Sequence, residues 1–399
     1  MTEAKLKSGV EGYCDERFAS VADLLGEQLE RDEHHGVAFA AYFRGEVVVD
    51  IWGGLRSTPE GDAPWQQDTM AVCFSTTKGV AATALHMVME RSDTPYDTPI
   101  GEVWPEFAAK GKEAITIRHA LCHEGGVPQI RDQIDNVSDL SDWDAMVHMI
   151  EGLEPLWEPG TANGYHAINY AWLVGEVIRR IDGRDVPTFL AEELVGPLEL
   201  DGLFIGAPED VHGRIAPLVP ADDIQSNSAD DQLEAVLGKD SIVIRALSPK
   251  GNMIDFLNSP QGMSTCLPSA SGAFTARSLA KLYAALERGG QLDGTRILTP
   301  ETIATATTQQ NDRNDLVIFI APRWRLGYMT GGSAVPVLGP NDDAYGHVGA
   351  GGTFAGADPK AEVSFGLVYD RFAALDMLGA ARGALLADAT VRAAEAARN

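Results

Sequence analysis

Apolar and polar positions alternate in different ways along the chain, and three regimes can be read from them. Near the start, Val21, Leu24, Leu25 and Leu29 fall at helical spacing among acidic residues, which predicts a helix over Ser20–Arg31. Two β-rich runs, Val37–Phe43 and Glu46–Trp52, then flank Arg44-Gly45. A two-residue turn containing glycine between such runs predicts an antiparallel hairpin, ended by Gly53-Gly54. A Pro-, Gly- and Asp-rich loop over 57–68 leads to Cys73–His86. There Val80, Ala81, Ala82, Ala84 and Leu85, followed by Val88 and Met89, are apolar nearly all round, the pattern of a buried helix.

From Asp93 to about Thr299 the strand signal fades and helical periods dominate. Helices are predicted at Ile117–Cys122 behind a Thr116 cap, at Ser141–Gly152, from just after Tyr165 to Asp182, at Val186–Val195 and at Phe274–Gly289. The stretch Ala207–Gly272 is the least regular, with acidic residues over Asp222–Asp231, and is expected to form loops over a pocket. Strands return at Arg325–Met329, at Ala344–His347, and in a second hairpin of Thr353–Ala357 and Ala361–Tyr369 joined at Asp358-Pro359-Lys360. Ala373–Ala397 reads as a terminal helix. Strands at both ends around a helical middle predict an α+β fold. Residues 1–95 and 311–399 would build one antiparallel sheet flanked by terminal helices. Residues 96–310 would form an inserted all-helical domain, with the site in the groove between the two.

Composition narrows the classes of function. A chain of 399 residues, 45% of them hydrophobic, can bury a large core. The net charge of −27 argues against nucleic acid and anionic membrane surfaces as partners. The first residues, Met1 to Ser8, lead into acidic and polar positions, so no secretory signal is expected. Four scattered cysteines without a C-x-x-C pair suit reduced thiols, and a cytoplasmic location is the expectation. His123-Glu124 opens like a zinc helix, but Val127 stands where the second ligand would be; His34-His35 has no partner cluster. No metal and no cofactor are assigned, and oligomeric state is left open.

Candidate chemistry centres on Ser75-Thr76-Thr77-Lys78. A serine and a lysine three apart share one helix face, with Cβ atoms about 5–6 Å apart. A serine hydroxyl needs a base, and a lysine becomes one when burial disfavours its ammonium form. Ser75 at a helix N-terminus would also offer its N–H to a developing oxyanion. A second copy, Ser278-Leu279-Ala280-Lys281, lies in an ordinary amphipathic helix and reads as structural. Tyr165, behind the Pro159-Gly160-Thr161 loop, could shuttle protons if a cation such as Lys78 lowered its pKa. Gly349–Gly352 would let a carbonyl approach the backbone, with Ala350 N–H opposite that of Ser75 completing an oxyanion hole.

In this order, the pieces resemble the serine β-lactamase and penicillin-binding-protein superfamily, and are most similar to its esterase branch, the family VIII carboxylesterases and class C β-lactamase-like hydrolases. Ser75-Thr76-Thr77-Lys78 matches S-x-x-K. Tyr165-His166-Ala167 stands at the Y-x-N position, and His347-Val348-Gly349 at that of K-T-G. His123-Glu124-Gly125-Gly126-Val127-Pro128 resembles H-x-S-G-L-P. The resemblance covers nearly the whole chain. It implies a serine β-lactamase-like fold and catalysis by Ser75, Lys78 and Tyr165, with the N–H groups of Ser75 and Ala350 as oxyanion donors. It also implies substrate contacts at His347, Gly349, His123 and His166. Ala167 in place of asparagine and His347 in place of lysine remove two grips on a lactam, which favours a small-molecule carboxylic ester. An acyltransferase, a β-lactamase or a D-amino-acid peptidase or amidase of the same fold are the alternatives, and a non-enzymatic binding protein is the remaining rival.

Overall fold

The structure, a computed structural model, describes residues 2–31, 35–220, 234–372 and 382–398. The acidic stretch Asp222–Asp231 and the first part of the predicted terminal helix lie outside the described residues. An eight-stranded antiparallel sheet draws on both ends of the chain. Its strands are β1 (Val10–Cys14), β2 (Gly36–Phe43), β3 (Glu46–Thr58), β4 (Gly61–Pro64), β5 (Met329–Thr330), β6 (Tyr345–Val348), β7 (Phe354–Asp358) and β8 (Val363–Tyr369). They run in the order β1-β3-β2-β8-β7-β6-β5, with β4 paired to the far end of β3. The seam between chain ends is β2 on β8, in register from Val37 opposite Tyr369 to Phe43 opposite Val363.

Both predicted hairpins form, around Arg44-Gly45 and around Pro359-Lys360. The loop expected over 57–68 instead continues the first hairpin, because β3 runs to Thr58 and turns back into β4. The strand expected at Arg325–Met329 is reduced to the two residues of β5.

β8 is buried along its whole length, as a strand covered on both faces must be. Helix α4 (Ala276–Glu287) lies on one face, where Ser364 Oγ donates to Ala280 O at 2.8 Å; a Cβ on Gly366 would stand 2.7 Å from Ala276 O. On the other face lie α1 (Ala19–Glu30) and α5 (Arg382–Ala397), which pack against each other. A helix inside 96–310 is therefore part of the sheet layer.

The middle of the chain is not all-helical. Helix α2 (Thr76–Ser92), from the segment before it, packs with α3 (Tyr170–Asp182) as its core. Beside them runs a four-stranded sheet ordered Leu203–Ile205, Gly272–Phe274, Met70–Val72, Ile215–Ala216. Strands of two or three residues are too short to show a period of two, which is why the sequence pattern did not reveal them. Among the described residues no helix is long and apolar enough to cross a membrane.

Candidate active site

The strand Met70–Val72 delivers the chain to α2 through a sharp turn. Phe74 takes φ +41°, a left-handed conformation costly for a bulky residue, and Ser75 caps the helix with φ −69°. Cys73 N–H donates to Gly272 O at 2.8 Å and Gly272 N–H to Thr77 Oγ1 at 3.0 Å, so the small sheet fixes the turn from one side. From the other side, Thr353 Oγ1 donates to Cys73 O at 3.0 Å and Thr76 Oγ1 to Thr353 O at 3.1 Å. A Cβ on Gly349 would stand 2.2 Å from Cys73 O, so only glycine lets the segment after β6 come this close. The first turn of the helix and residues 349–353 are thereby joined. Ser75 N–H and Ala350 N–H make no hydrogen bond among the described residues.

From Thr76 to Met89 every residue of α2 is buried, Lys78 completely. Its Nζ lies 3.0 Å from Ser75 Oγ, 2.7 Å from Ala167 O and 2.9 Å from Ser269 O. Among the described residues no carboxylate pairs with it. Burial holds its pKa well below the ordinary lysine value. A neutral amine has two N–H groups and one lone pair. The two carbonyls take the N–H groups, which leaves the lone pair for the Ser75 hydroxyl.

Tyr165 precedes α3, which begins only at Tyr170. Its ring lies under Lys78 Nζ at 4.8 Å to the centroid and stacks on Trp324 at 5.9 Å and 6°. The expectation that Lys78 lowers the phenol's pKa is overturned. Burial pushes Tyr165 up, hydrogen bonding to Ser75 opposes this, and the Asp315 charge adds to the rise. Burial disfavours both the phenolate and the ammonium that would have stabilised it, so Tyr165 is held as a protonated phenol.

None of the three histidines expected to contact substrate lies at the surface. His123, His166 and His347 are fully buried, and burial lowers all three, His166 and His347 to about 3. His123 Nδ1 accepts His166 N–H at 3.0 Å, and His166 Nε2 accepts Val127 N–H at 3.0 Å. These nitrogens are taken up by main chain, not presented to an open cleft. The His123 ring lies 4.6 Å from that of Tyr165 and 4.4 Å from that of Trp324. His347 donates from Nδ1 to Val348 O at 2.8 Å, and its ring stands 6.3 Å from that of Tyr165. Ser75, Lys78, Tyr165 and His347 are thus brought together, with Gly349 and Ala350 alongside.

Two residues of the site escaped the sequence reading. Trp324 backs Tyr165, and Asp315 accepts Tyr165 N–H on Oδ1 at 3.0 Å. Neither belongs to a local motif, and only the folded chain brings them there. Cys73, two residues before Ser75, is enclosed; burial pushes its thiol up and its Sγ faces Ala71 O at 3.2 Å, a packing role.

Known proteins share this arrangement of chain. The beta-lactamase family matches residues 21–389. The Esterase/beta-lactamase LipL of Mycobacterium tuberculosis (strain ATCC 25618 / H37Rv) is 32% identical over 368 residues, 90% of this chain and 82% of that relative. Among solved structures, a family VIII carboxylesterase superposes with a TM-score of 0.87 at 32% identity, over 96% of this chain and 99% of its own. A penicillin-binding protein homologue from Caulobacter crescentus gives 0.84 at 35% identity, over 97% and 100%. With a family match spanning most of its length and close structural relatives in both the esterase and penicillin-binding groups, the chain belongs to the beta-lactamase family.

Proposed function

We propose that the protein is a serine carboxylesterase that cleaves small esters of carboxylic acids, including short-chain acyl esters, through an acyl-enzyme on Ser75. The observation that carries this reading is the enclosed amine of Lys78, without a carboxylate partner among the described residues, 3.0 Å from the serine hydroxyl. The neutral amine takes the hydroxyl proton as Ser75 Oγ bonds to the ester carbonyl carbon. The N–H groups of Ser75 and Ala350 receive the oxyanion. Tyr165 gives its proton to the leaving alkoxide as the C–O bond breaks, and recovers one from the Lys78 ammonium. The same groups in reverse roles activate water to release the acid.

Two features favour an ester over an anionic lactam. His347, held neutral, offers no cation at the position where the lactamase lysine stands, and Ala167 offers no side-chain amide. His347 and Gly349 shape the wall beside the nucleophile, while His123 and His166 hold the backbone under Tyr165. The relative named Esterase/beta-lactamase and the carboxylesterase structure support ester cleavage as the activity to test.

The test has two parts. A fluorophosphonate should label the protein once, at Ser75, in peptide mapping. A panel of esters of graded acyl length, run beside a chromogenic cephalosporin, should show ester turnover well above lactam turnover. Labelling elsewhere, or faster cephalosporin than ester cleavage, would overturn the reading.

A further inference from the structure

Asp315 stands out among the buried polar groups because stability alone does not explain it. It is 2% exposed. Its Oδ1 accepts three main-chain N–H groups, from Tyr165 at 3.0 Å, Val317 at 2.8 Å and Ile318 at 3.1 Å. Its Oδ2 is enclosed with no partner among the described residues. An enclosed carboxylate oxygen left unpaired is a cost to folding. The turn it caps is otherwise closed by main chain: Asp315 N–H donates to Ile320 O at 2.8 Å and Phe319 N–H to Asp315 O at 3.1 Å. Phe319 there has φ +57° and is 67% exposed, a bulky residue kept in a strained conformation. Such features persist where the surroundings demand a particular geometry.

What the turn grips is the backbone of Tyr165 and its neighbours. Leu316 N–H donates to Asn163 O at 2.9 Å, and Asn163 Nδ2 to Cys122 O at 2.8 Å. Gly164 N–H meets His123 O at 3.0 Å, Tyr165 N–H meets Asp315, and His166 N–H meets His123 Nδ1. Ala167 N–H meets Tyr165 O at 3.0 Å, and Ala167 O is one of the two carbonyls on Lys78. Four consecutive N–H groups are thus fixed, so the phenol and the amine share one rigid frame. Two of the clamps come from side chains distant in sequence, that on His166 from His123 and that on Tyr165 itself from Asp315, 150 positions along the chain.

We propose that Asp315 is a positioning residue for the reaction: by holding Tyr165 N–H it sets the reach of the phenol to the leaving oxygen. This rests on the reading of Tyr165 as the proton donor to that oxygen. Displacing a donor by about 1 Å can cost about 10²-fold. The loss must fall on substrates that need the proton.

The experiment compares an ethyl ester, whose alkoxide must be protonated to leave, with the p-nitrophenyl ester of the same acid, whose phenolate leaves unaided. In Asp315→Ala, kcat/KM, which reports the acylation step in which the two leaving groups differ, should fall about 100-fold for the ethyl ester and less than about 5-fold for the p-nitrophenyl ester. Asp315→Asn keeps an acceptor oxygen for Tyr165 N–H and should recover most of the ethyl-ester rate. Asp315→Glu moves the carboxylate by one methylene and should repeat the selective loss, which covers the case in which the alanine variant does not fold. Tyr165→Phe is the reference and should show the same selectivity more strongly. Equal losses on both esters in the Ala and Glu variants, or an Asn variant as selective as Ala, would overturn the role of Asp315 and leave the hydrolase reading standing. No selectivity in Tyr165→Phe would overturn that reading, and the role of Asp315 with it.

Discussion

Two stretches of this chain carry a serine three residues before a lysine at the start of a helix, and they share almost nothing else. At Ser75–Lys78 the serine is the helix cap behind a strained Phe74, and the lysine is wholly enclosed. At Ser278–Lys281 the cap is Thr275, whose Oγ1 donates to Ser278 Oγ at 2.9 Å and accepts Ser278 N–H at 3.2 Å. The second hydroxyl is therefore engaged with the cap at the start of its helix. Its lysine side chain is 20% exposed and lies 3.9 Å from the Asp293 carboxylate. Equal spacing gives equal proximity along a helix. What differs is water, which reaches one amine and is kept from the other.

Burial alone does not make a base, as Lys112 shows. That residue is enclosed too, but it donates to three carbonyls, those of Ala109, Glu151 and Leu153, at 2.8, 2.8 and 2.5 Å. Three acceptors match the three protons of an ammonium, whereas Lys78 has two carbonyls and a hydroxyl. Burial lowers Lys112 to about 8 and Lys78 well below its ordinary value.

The contrast can be broken most sharply at the serines. Ser75→Ala should lose on the order of 10⁴-fold or more in ester turnover with its circular dichroism unchanged. Ser278→Ala should keep activity within about twofold and lose about 1 kcal/mol of stability through the weakened cap. Activity lost at Ser278 and kept at Ser75 would reverse the assignment. The lysines come next. Lys78→Ala should lose about 10³-fold, and Lys78→Arg no less, because a guanidinium stays protonated. Lys281→Ala should behave like the parent. In the parent enzyme, kcat/KM should fall on acidification as Lys78 takes up a proton, and should be level well below the pH at which a free lysine titrates. A rate still climbing through pH 10 would mark Lys78 as an ordinary amine.

The last test reads stability rather than turnover and concerns the four histidines buried on and around α2. His86 is lowered to about 4, His166 and His347 to about 3, and His123 also downward, all by burial. Unfolded, each binds a proton near pH 6.5 that the folded protein refuses. Their contribution is therefore complete above about pH 6.5 and is lost as pH falls towards 3, at up to about 1.4 kcal/mol per pH unit for each histidine. Asp370, raised to about 6 by burial, acts in the opposite sense between its folded value and the ordinary carboxylate value. Urea midpoints measured from pH 7 to 4 should fall steeply. A flat profile would mean that the enclosure of this cluster is not maintained in solution.

Most of the scaffold was legible because its signals are local. The Arg44-Gly45 hairpin, the apolar faces of α2, the Thr116 cap and the second hairpin each lie in one short contiguous stretch of chain. Ser75 and Lys78 were legible for the same reason. Asp315, Trp324 and the small sheet were not, because each depends on distant partners: Asp315 meets Tyr165 150 positions away, and Ile215–Ala216 pairs with a strand far back along the chain. The protonation of Tyr165 was misjudged in sign because Lys78 was counted as a cation beside the phenol, although the burial that makes it a base also removes its charge.

The bond network between Thr76 and Thr353 has a consequence for the life history of the molecule. A growing polypeptide still short of its last strands has the nucleophile but not the threonine that steadies it, nor the glycine that sits against it. Until synthesis is nearly complete such a chain should be inert towards esters, so the appearance of turnover times the closure of the β2–β8 seam and gives a direct clock for folding.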